Sequence, residues 1–248
     1  MNSQAHVATP ESGEPSDRPF VVVNMAMTAD GKIATANRAV ASFGSPRDLA
    51  HLYALRATAD AVMCGARTAE MAGLNLGPGP ARYRRLRRQR GLAEYNLRVL
   101  VSGTGSINPQ AAIFTRRFSP ILILTTERAG ERRLAALRKV ANEVLVFGAR
   151  KLDFAAALAE LRVRWGVRRL VCEGGGELNA ALFAAGLVDE LHLTICPLVF
   201  GGRDAPSIAD SLGVTRLAEA ARLELQSCRR HGDELFCVFA ATGRAGGC

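Results

Sequence analysis

The stretch VCEGGGELNAALF, residues 171–183, sets three consecutive glycines between an apolar run and a helical run. Read as strand, turn and helix, it brings several backbone amides to a helix N-terminus, where unpaired N–H groups and the helix dipole attract an anion. Glycine also admits a ligand close to the backbone, although the same residues would serve a plain tight turn. Two phosphate motifs fail here. A P-loop needs Lys followed by Ser or Thr where this chain has Glu177 and Leu178. A Rossmann fingerprint needs a third glycine where Asn179 stands, and needs it early in the chain. What is left is a dinucleotide pyrophosphate held at a late strand-to-helix junction of a different α/β fold.

The same alternation extends outward from this stretch. FVVVNMAM (20–27), AVMCG (61–65), LRVLVSG (97–103), PILILTT (120–126), VLVFG (144–148) and RRLVCEG (168–174) read as strands. DLAHLYALRATA (48–59) and residues 130–140, 153–165 and 177–185 read as helices, the last stopped by Gly186. Strands joined by helices predict an α/β fold with a mostly parallel sheet covered on both faces. DELHLTICPLVFGG (189–202), ARLELQSCRR (221–230) and DELFCVFAA (233–241) have little helix between them. The sheet is therefore expected to end in antiparallel strands turned at residues 231–233. The 189–202 stretch is apolar enough for either a subunit interface or a buried strand. One domain is expected over residues 18–242, with a disordered lead-in over 1–17 and a flexible tail over 243–248.

The chain has 248 residues, 48% of them apolar, which is ample for a packed core. Its apolar runs fall far short of the roughly 20 residues that cross a bilayer, so a soluble protein is expected. Six cysteines occur without a CxxC pair, the pattern of reduced core thiols in a cytoplasmic protein. The net charge of +9 is concentrated in RYRRLRRQR (82–90), with Arg82, Arg84, Arg85, Arg87, Arg88 and Arg90. A solvated helix or loop face accounts for such a run; attraction of an anionic ligand or of nucleic acid are the alternatives.

A second motif lies near the start. In NMAMTADGKIAT (24–35) a strand breaks at Asp30-Gly31, where an Asp can simply brace the turn. With ALRATADAVMCGART (54–68) and EGGGEL (173–178) following in that order, the chain resembles the reductase domain of riboflavin biosynthesis over residues 18 to 241. The resemblance implies a dihydrofolate-reductase-like three-layer fold, NADPH as cofactor and a homodimer. It also implies hydride delivery to C1′ of the ribosylamino group of a pyrimidine 5′-phosphate, opening the ribose to a ribityl chain. By the same resemblance, Met27, Thr68, Ser102, Gly103, Gly174, Gly175, Gly176, Glu177 and Leu178 meet the cofactor. Asn24, Asp30, Arg56 and Glu173 meet the substrate, with Asp30 and Glu173 as the catalytic pair.

The chemistry of these residues allows specific roles. A Glu173 carboxylate matches adjacent N–H donors of a diaminopyrimidine, or braces the turn. Asp30 suits ribose hydroxyls or proton transfer to the ring oxygen. Arg56 suits a 5′-phosphate, or a helix-surface ion pair with Asp48 or Asp60. Arg150 and Lys151 suit the 2′-phosphate of NADPH, or are ordinary surface charge. Residues 69–83, AEMAGLNLGPGPARY, depart from the family pattern. Ala72 and Gly73 stand where an acidic pair is usual, and the substrate-side Arg is absent unless Arg82 or Arg84 replaces it. A pterin or dihydrofolate-like substrate on the same fold is therefore the alternative. No metal is expected: none of the four histidines is followed by Glu two residues on and no PCxxC occurs, so the zinc deaminase motif is missing.

Overall fold

Segments such as ILILT and AVMCG present no polar face, so they are stable only where both sides of the sheet are covered. The computed structural model, which describes residues 16–38, 43–71 and 73–244, buries both. Its strands are β1 (Phe20–Thr28), β2 (Ala61–Gly65), β3 (Leu97–Val101), β4 (Ile121–Thr125), β5 (Glu143–Val146), β6 (Arg169–Cys172), β7 (Glu190–Cys196), β8 (Ala221–His231) and β9 (Glu234–Arg244). The helices are α1 (Pro46–Arg56), α2 (Ala66–Ala69), α3 (Ala81–Gln89), α4 (Gly130–Arg138), α5 (Phe154–Val163) and α6 (Gly176–Ala184). No helix of the described residues is long and apolar enough to cross a membrane.

The strands form one sheet in the order β5-β4-β3-β2-β6-β1-β7-β9-β8. From β5 to β7 every pairing is parallel. β9 then runs antiparallel to β7, and β8 antiparallel to β9, joined by a turn with Gly232 at φ +61°. Alternate side chains sort into two layers of core. Val21, Val23, Met63, Val99 and Leu122 pack under Leu158 and Leu161 of α5 and Leu182 of α6. On the opposite face Val62, Leu100 and Ile123 pack against Leu137 of α4 and the segment carrying Ile107 and Ile113. α1 closes that face over Val22 and Val171 through Leu55. Each fully buried Leu or Ile contributes up to about 1.5–3 kcal/mol.

Capping sets the helix limits. Ser45 accepts from the amides of Arg47 and Asp48, with Pro46 in the first turn of α1. Asp153 caps α5 through the amide of Ala156, so that helix begins at Phe154, while Gly186 at φ +67° ends the α6 segment. The helices expected over 130–140 and 153–165 stop earlier, at Arg138 and Val163, as their last turns loosen.

Of the two readings of the apolar stretch 189–202, the buried strand is the one found: β7 lies inside the sheet between β1 and β9 with Leu191, Leu193 and Cys196 buried, while Leu198 and Val199 beyond it are exposed. One expectation is corrected: the arginine run is not a uniformly solvated face. It forms α3, and Arg87 is only 1% exposed. Its guanidinium donates to the carbonyls of Arg56, Ala59 and Ala93, and Arg90 donates to that of Ala57. Two arginines thus satisfy the open carbonyls at the C-terminal end of α1, where positive charge also suits the helix dipole. The expected lead-in at 1–17 falls, up to residue 15, outside the described residues, as do residues 245–248 of the tail.

α1 meets β7 along a polar seam. His51 Nε2 lies 2.9 Å from His192 Nδ1, His192 bonds Glu190, and Glu190 reaches Arg169 at 3.4 Å. One turn before His51, Asp48 is paired with Thr194, and Glu234 accepts from the amide and hydroxyl of Ser45. Burial, and after it the neighbouring His192, pushes His51 down to about 4.

Two outcomes follow from these contacts. Arg87→Ala leaves several buried carbonyls without donors and should lower the unfolding free energy in urea by roughly 3 kcal/mol. Exposed Arg85→Ala should stay within about 0.5 kcal/mol of wild type. The unfolded chain protonates His51 below about 6.5 and the folded chain only near 4, so this contribution is complete above pH 6.5 and declines as pH falls toward 4. It amounts to about 3 kcal/mol at most. His51→Gln should flatten the stability profile between those pH values, measured by urea unfolding at each.

Candidate functional site

The connections out of neighbouring strands leave this sheet on opposite faces. β6 leads into α6 on one side, whereas β1 and β2, its two neighbours, lead away to the other. A crevice opens at the carboxyl ends of strands at such a switch point, which is where α/β sheets bind ligands. Glu173 and the three glycines after it fill this position.

The glycine loop is fitted by packing on both sides. Gly174 has φ +79°, and a Cβ there would stand 2.6 Å from Met25 Sδ. A Cβ on Gly176 would stand 2.5 Å from Asp210 Oδ2 and 2.6 Å from the carbonyl of Ser207. The carbonyl of Gly174 accepts from Gly65 at 2.8 Å, and that of Gly176 from Asp210 at 2.9 Å, so β2 and the loop after β7 clasp it. The Gly174–Gly175 peptide is cis. α6 then starts at Gly176 with Gly175 as a cap that offers no side chain. Asn179 makes the first bond back to Gly175, so the amides of Gly176, Glu177 and Leu178 are the first-turn donors that no helix carbonyl engages. Leu178 is buried beneath them and Glu177 is exposed, paired with Arg67 at 2.7 Å. Thr68 Oγ1 lies 4.0 Å from the position a Cβ would take on Gly175.

The structure therefore brings Thr68 and residues 174–178 together, with Met25 beneath them. Met27, two residues further along β1, is partly buried against the core. Ser102 and Gly103 follow β3 on the same carboxyl edge. The Ser102 hydroxyl accepts from Ser106, and the carbonyls of Ser102 and Gly103 accept from Thr125 and Thr126, each at 2.6 Å. Among the described residues, apart from Gly103 itself and its chain neighbours, no atom lies within 4 Å of where a Gly103 Cβ would be. Beyond it a cavity of about 500 Å³ opens between residues 105–109 and α4, lined in part by Ser106, Asn108, Arg132 and Arg133. Arg150 and Lys151 are exposed beyond edge strand β5, four strands and about 19 Å from β6.

On the other side of the glycine loop stands a buried ion pair. Arg56 Nε and Nη2 donate to Glu173 Oε1 and Oε2 at 2.5 and 2.6 Å, and Nη1 donates to the carbonyl of Gly77 at 2.6 Å. The two side chains are 5% and 8% exposed. Burial works against the Arg56 charge, and the adjacent Glu173 carboxylate more than offsets it, so its pKa is raised. A surface pair between Arg56 and Asp48 or Asp60 does not form: Asp60 accepts instead from the amides of Arg168 and Arg169. Asn24 is level with Glu173, one residue past the Val23–Cys172 pairing. It is 9% exposed, and its Oδ1 has no partner among the described residues.

Asp30 is not part of this cluster. Thr28 alone is about 13 Å of extended strand beyond Asn24, and the chain turns only after it. Asp30 accepts from the Thr28 hydroxyl and from the amides of Phe200 and Gly201. The Thr28 hydrogen bond, with the two amides, holds its pKa below the usual carboxylate range. Arg82 and Arg84 bond Tyr83 and Tyr95 rather than Glu173, and Ala72 lies outside the described residues. Sequence reasoning missed Met25 and the carbonyl of Gly77; the alternation of β1 points to Met25, since it shares the parity of Val21 and Val23, whereas nothing local points to Gly77.

The RibD C-terminal domain family matches residues 19–237. Over 226 residues the chain is 35% identical to the 2,5-diamino-6-ribosylamino-4(3H)-pyrimidinone 5′-phosphate reductase of Methanothermobacter thermautotrophicus, covering 91% of this chain and 100% of that protein. The reductase of the same name from Archaeoglobus fulgidus is 34% identical over 207 residues, covering 84% and 93%. A pyrimidine reductase-like protein from Corynebacterium diphtheriae superposes with a TM-score of 0.72 at 22% identity, over 90% of this chain and 92% of that one. Acinetobacter baumannii RibD superposes at 0.70 with 17% identity, over 92% of this chain and 59% of its own.

The ion pair makes its own test. Glu173→Ala strands a buried guanidinium and should lower stability by about 3–5 kcal/mol. Arg56→Met combined with Glu173→Leu should recover most of that loss in a urea double-mutant cycle, because both charges are then gone.

Proposed function

Because the chain belongs to the RibD C-terminal domain family, we propose that it reduces the ribosylamino group of a diaminopyrimidinone 5′-phosphate to a ribitylamino chain in riboflavin biosynthesis, with NADPH as the reductant. The observation that carries this is the end-to-end match, at 35% identity, to a reductase of that name, on the dihydrofolate-reductase-like layered sheet of the superposed structures.

The residues present fit a nicotinamide dinucleotide. The amides at the start of α6 suit a pyrophosphate, and the space beside Gly175, where only Thr68 Oγ1 comes as near as 4.0 Å to an added Cβ, leaves room for it. Thr68 stands beside it, and Ser102 and Gly103 extend the same edge toward the cavity, where Arg132 and Arg133 supply charge for a 2′-phosphate, more directly than Arg150 and Lys151. When bound, the cofactor supplies the hydride.

The chain's own part is binding, orientation and electrostatics. Arg56 fixes the Glu173 side chain in place, and a carboxylate has lone pairs beyond the two that Arg56 engages, so Glu173 accepts from the amino and ring N–H groups of the pyrimidine. Asn24 Oδ1 takes a further ligand donor. With three donors on it, Asp30 positions the turn after β1 against Gly201. Arg56, committed to Glu173 and Gly77, leaves the 5′-phosphate to other groups.

The protein acts as a homodimer in the cytoplasm. Free thiols at Cys64, Cys172, Cys196, Cys228 and Cys237 suit a reducing compartment. Edge strand β8 is exposed along most of its length, and Leu212, Val214 and Leu217 before it are exposed as well, which supports a second copy of the chain as their cover.

An NADPH oxidation assay with the diaminopyrimidinone ribosylamino phosphate, its deaminated form and dihydrofolate tests the proposal. Oxidation is expected with the first, and Glu173→Gln should cut kcat/KM by roughly 10- to 100-fold, the worth of a hydrogen bond to a charged group. Turnover of dihydrofolate alone would establish the other substrate class. Failure of NADPH to bind, with salt-sensitive nucleic-acid affinity in its place, would overturn the reductase assignment.

A further inference from the structure

We infer that Arg82, in the first turn of α3, holds the 5′-phosphate of the pyrimidine substrate, an inference that rests on the reductase reading above. A phosphate monoester calls for cationic donors, and Arg56 is committed to Glu173 and the carbonyl of Gly77. The arginine run that follows Gly77 supplies the other cations, and their contacts sort them. Arg84 and Arg88 are paired with Glu94, and Arg87 and Arg90 donate to backbone carbonyls. Arg85 is exposed and has no bonding partner among the described residues. Arg82 differs from all of these. It meets no carboxylate among the described residues, yet it is held in place: its guanidinium stacks 4.7 Å from the Tyr83 ring centre, and Nη2 donates to the Tyr83 hydroxyl at 3.0 Å.

Tyr83 is buried and fastens this group to α1. Its ring centre lies 5.5 Å from that of Tyr53, its hydroxyl donates to the carbonyl of Ala50 at 3.2 Å, and the Arg56 guanidinium sits 5.6 Å over the Tyr53 ring. Gly79 lets α3 come this close, because a Cβ there would stand 2.4 Å from the Tyr53 ring. A line of contacts thus leads from the ion pair through two tyrosines to Arg82, and it leads outward. α1 runs against the strands: Leu55 lies over Val22 and Val171, whereas Ser45, before its first residue, is bound to Glu234 beside the carboxyl end of β7. From Arg56 to Ala50 is about 9 Å along the helix axis, in the direction in which the crevice opens. With the pyrimidine edge on Glu173, the ribose and its 5′-carbon span a distance of that order, which brings the phosphate to Arg82. There the guanidinium keeps most of its five N–H donors, in a planar fork that matches two phosphate oxygens.

Titration calorimetry with the diaminopyrimidinone ribosylamino phosphate and with its dephosphorylated nucleoside, run beside NADPH oxidation, tests the site in the full-length chain. The advantage in Kd of the phosphate form over the nucleoside should shrink by roughly 10- to 100-fold in Arg82→Ala, the worth of a hydrogen bond between charged groups. The Kd for NADPH should stay within about twofold of wild type, as for a surface change away from the cofactor. Arg85→Ala removes the same charge from the same helix and should leave that advantage intact, which separates a contact from the general pull of positive charge. An undiminished preference for the phosphate in Arg82→Ala, or an equal loss in Arg85→Ala, would overturn the site while wild-type turnover keeps the reductase reading standing. A wild-type chain that binds neither form and oxidises no NADPH with them overturns both.

Discussion

The contact between Arg56 and Glu173 is the constraint on which the site depends. Two opposite charges this deeply buried cost several kcal/mol each unless they meet with good geometry, so the end of α1 and the end of β6 must arrive together. The bidentate pairing fixes both side chains, and the third donor of Arg56 draws in the carbonyl of Gly77. Glu173 is also the residue from which the glycine loop springs. Its amide is tied to β2 through the carbonyl of Met63, so the ion pair sets the origin of the loop while Met25 and Asp210 set its course.

Much of this architecture could be read from residue types. Fully apolar runs such as ILILT mean a strand covered on both faces, and the loss of helix after residue 202 means an antiparallel end; the sheet has both. The glycine loop was legible because Gly174 and Gly176 must lack side chains for reasons that travel with the residue type. Partner choice was not legible. Asp48 and Asp60 are close to Arg56 in sequence, yet its partner lies 117 positions away, because only the crossover from β1 to β2 carries the guanidinium to the end of β6. The inward turn of Arg87 was hidden for the same reason: its acceptors are carbonyls at the close of another helix, and carbonyls leave no mark in composition.

The excess of positive charge reads differently once these contacts are known. Arg56 is neutralised within the core, while Arg87 and Arg98 are buried with backbone carbonyls as acceptors. Arg98 also stacks 4.2 Å from the Phe118 ring centre. Such arginines act as multi-headed donors that tie irregular backbone to helix and strand ends, a use suited to a planar five-donor group. The seam between α1 and β7 shows the companion strategy, in which two histidines and several carboxylates satisfy one another where an apolar contact would be usual.

The segment between β2 and β3 has a consequence for how such enzymes diversify. It is no detachable insert. Gly77 grips Arg56 by its carbonyl, Gly79 lies so close to the Tyr53 ring that a side chain would collide with it, and Arg87 closes the end of α1. A graft that exchanged this loop for another would also remove the fastening of the helix that carries the ion pair. New specificity can therefore enter here only as a coordinated change in loop and helix, which makes the two a single unit of inheritance.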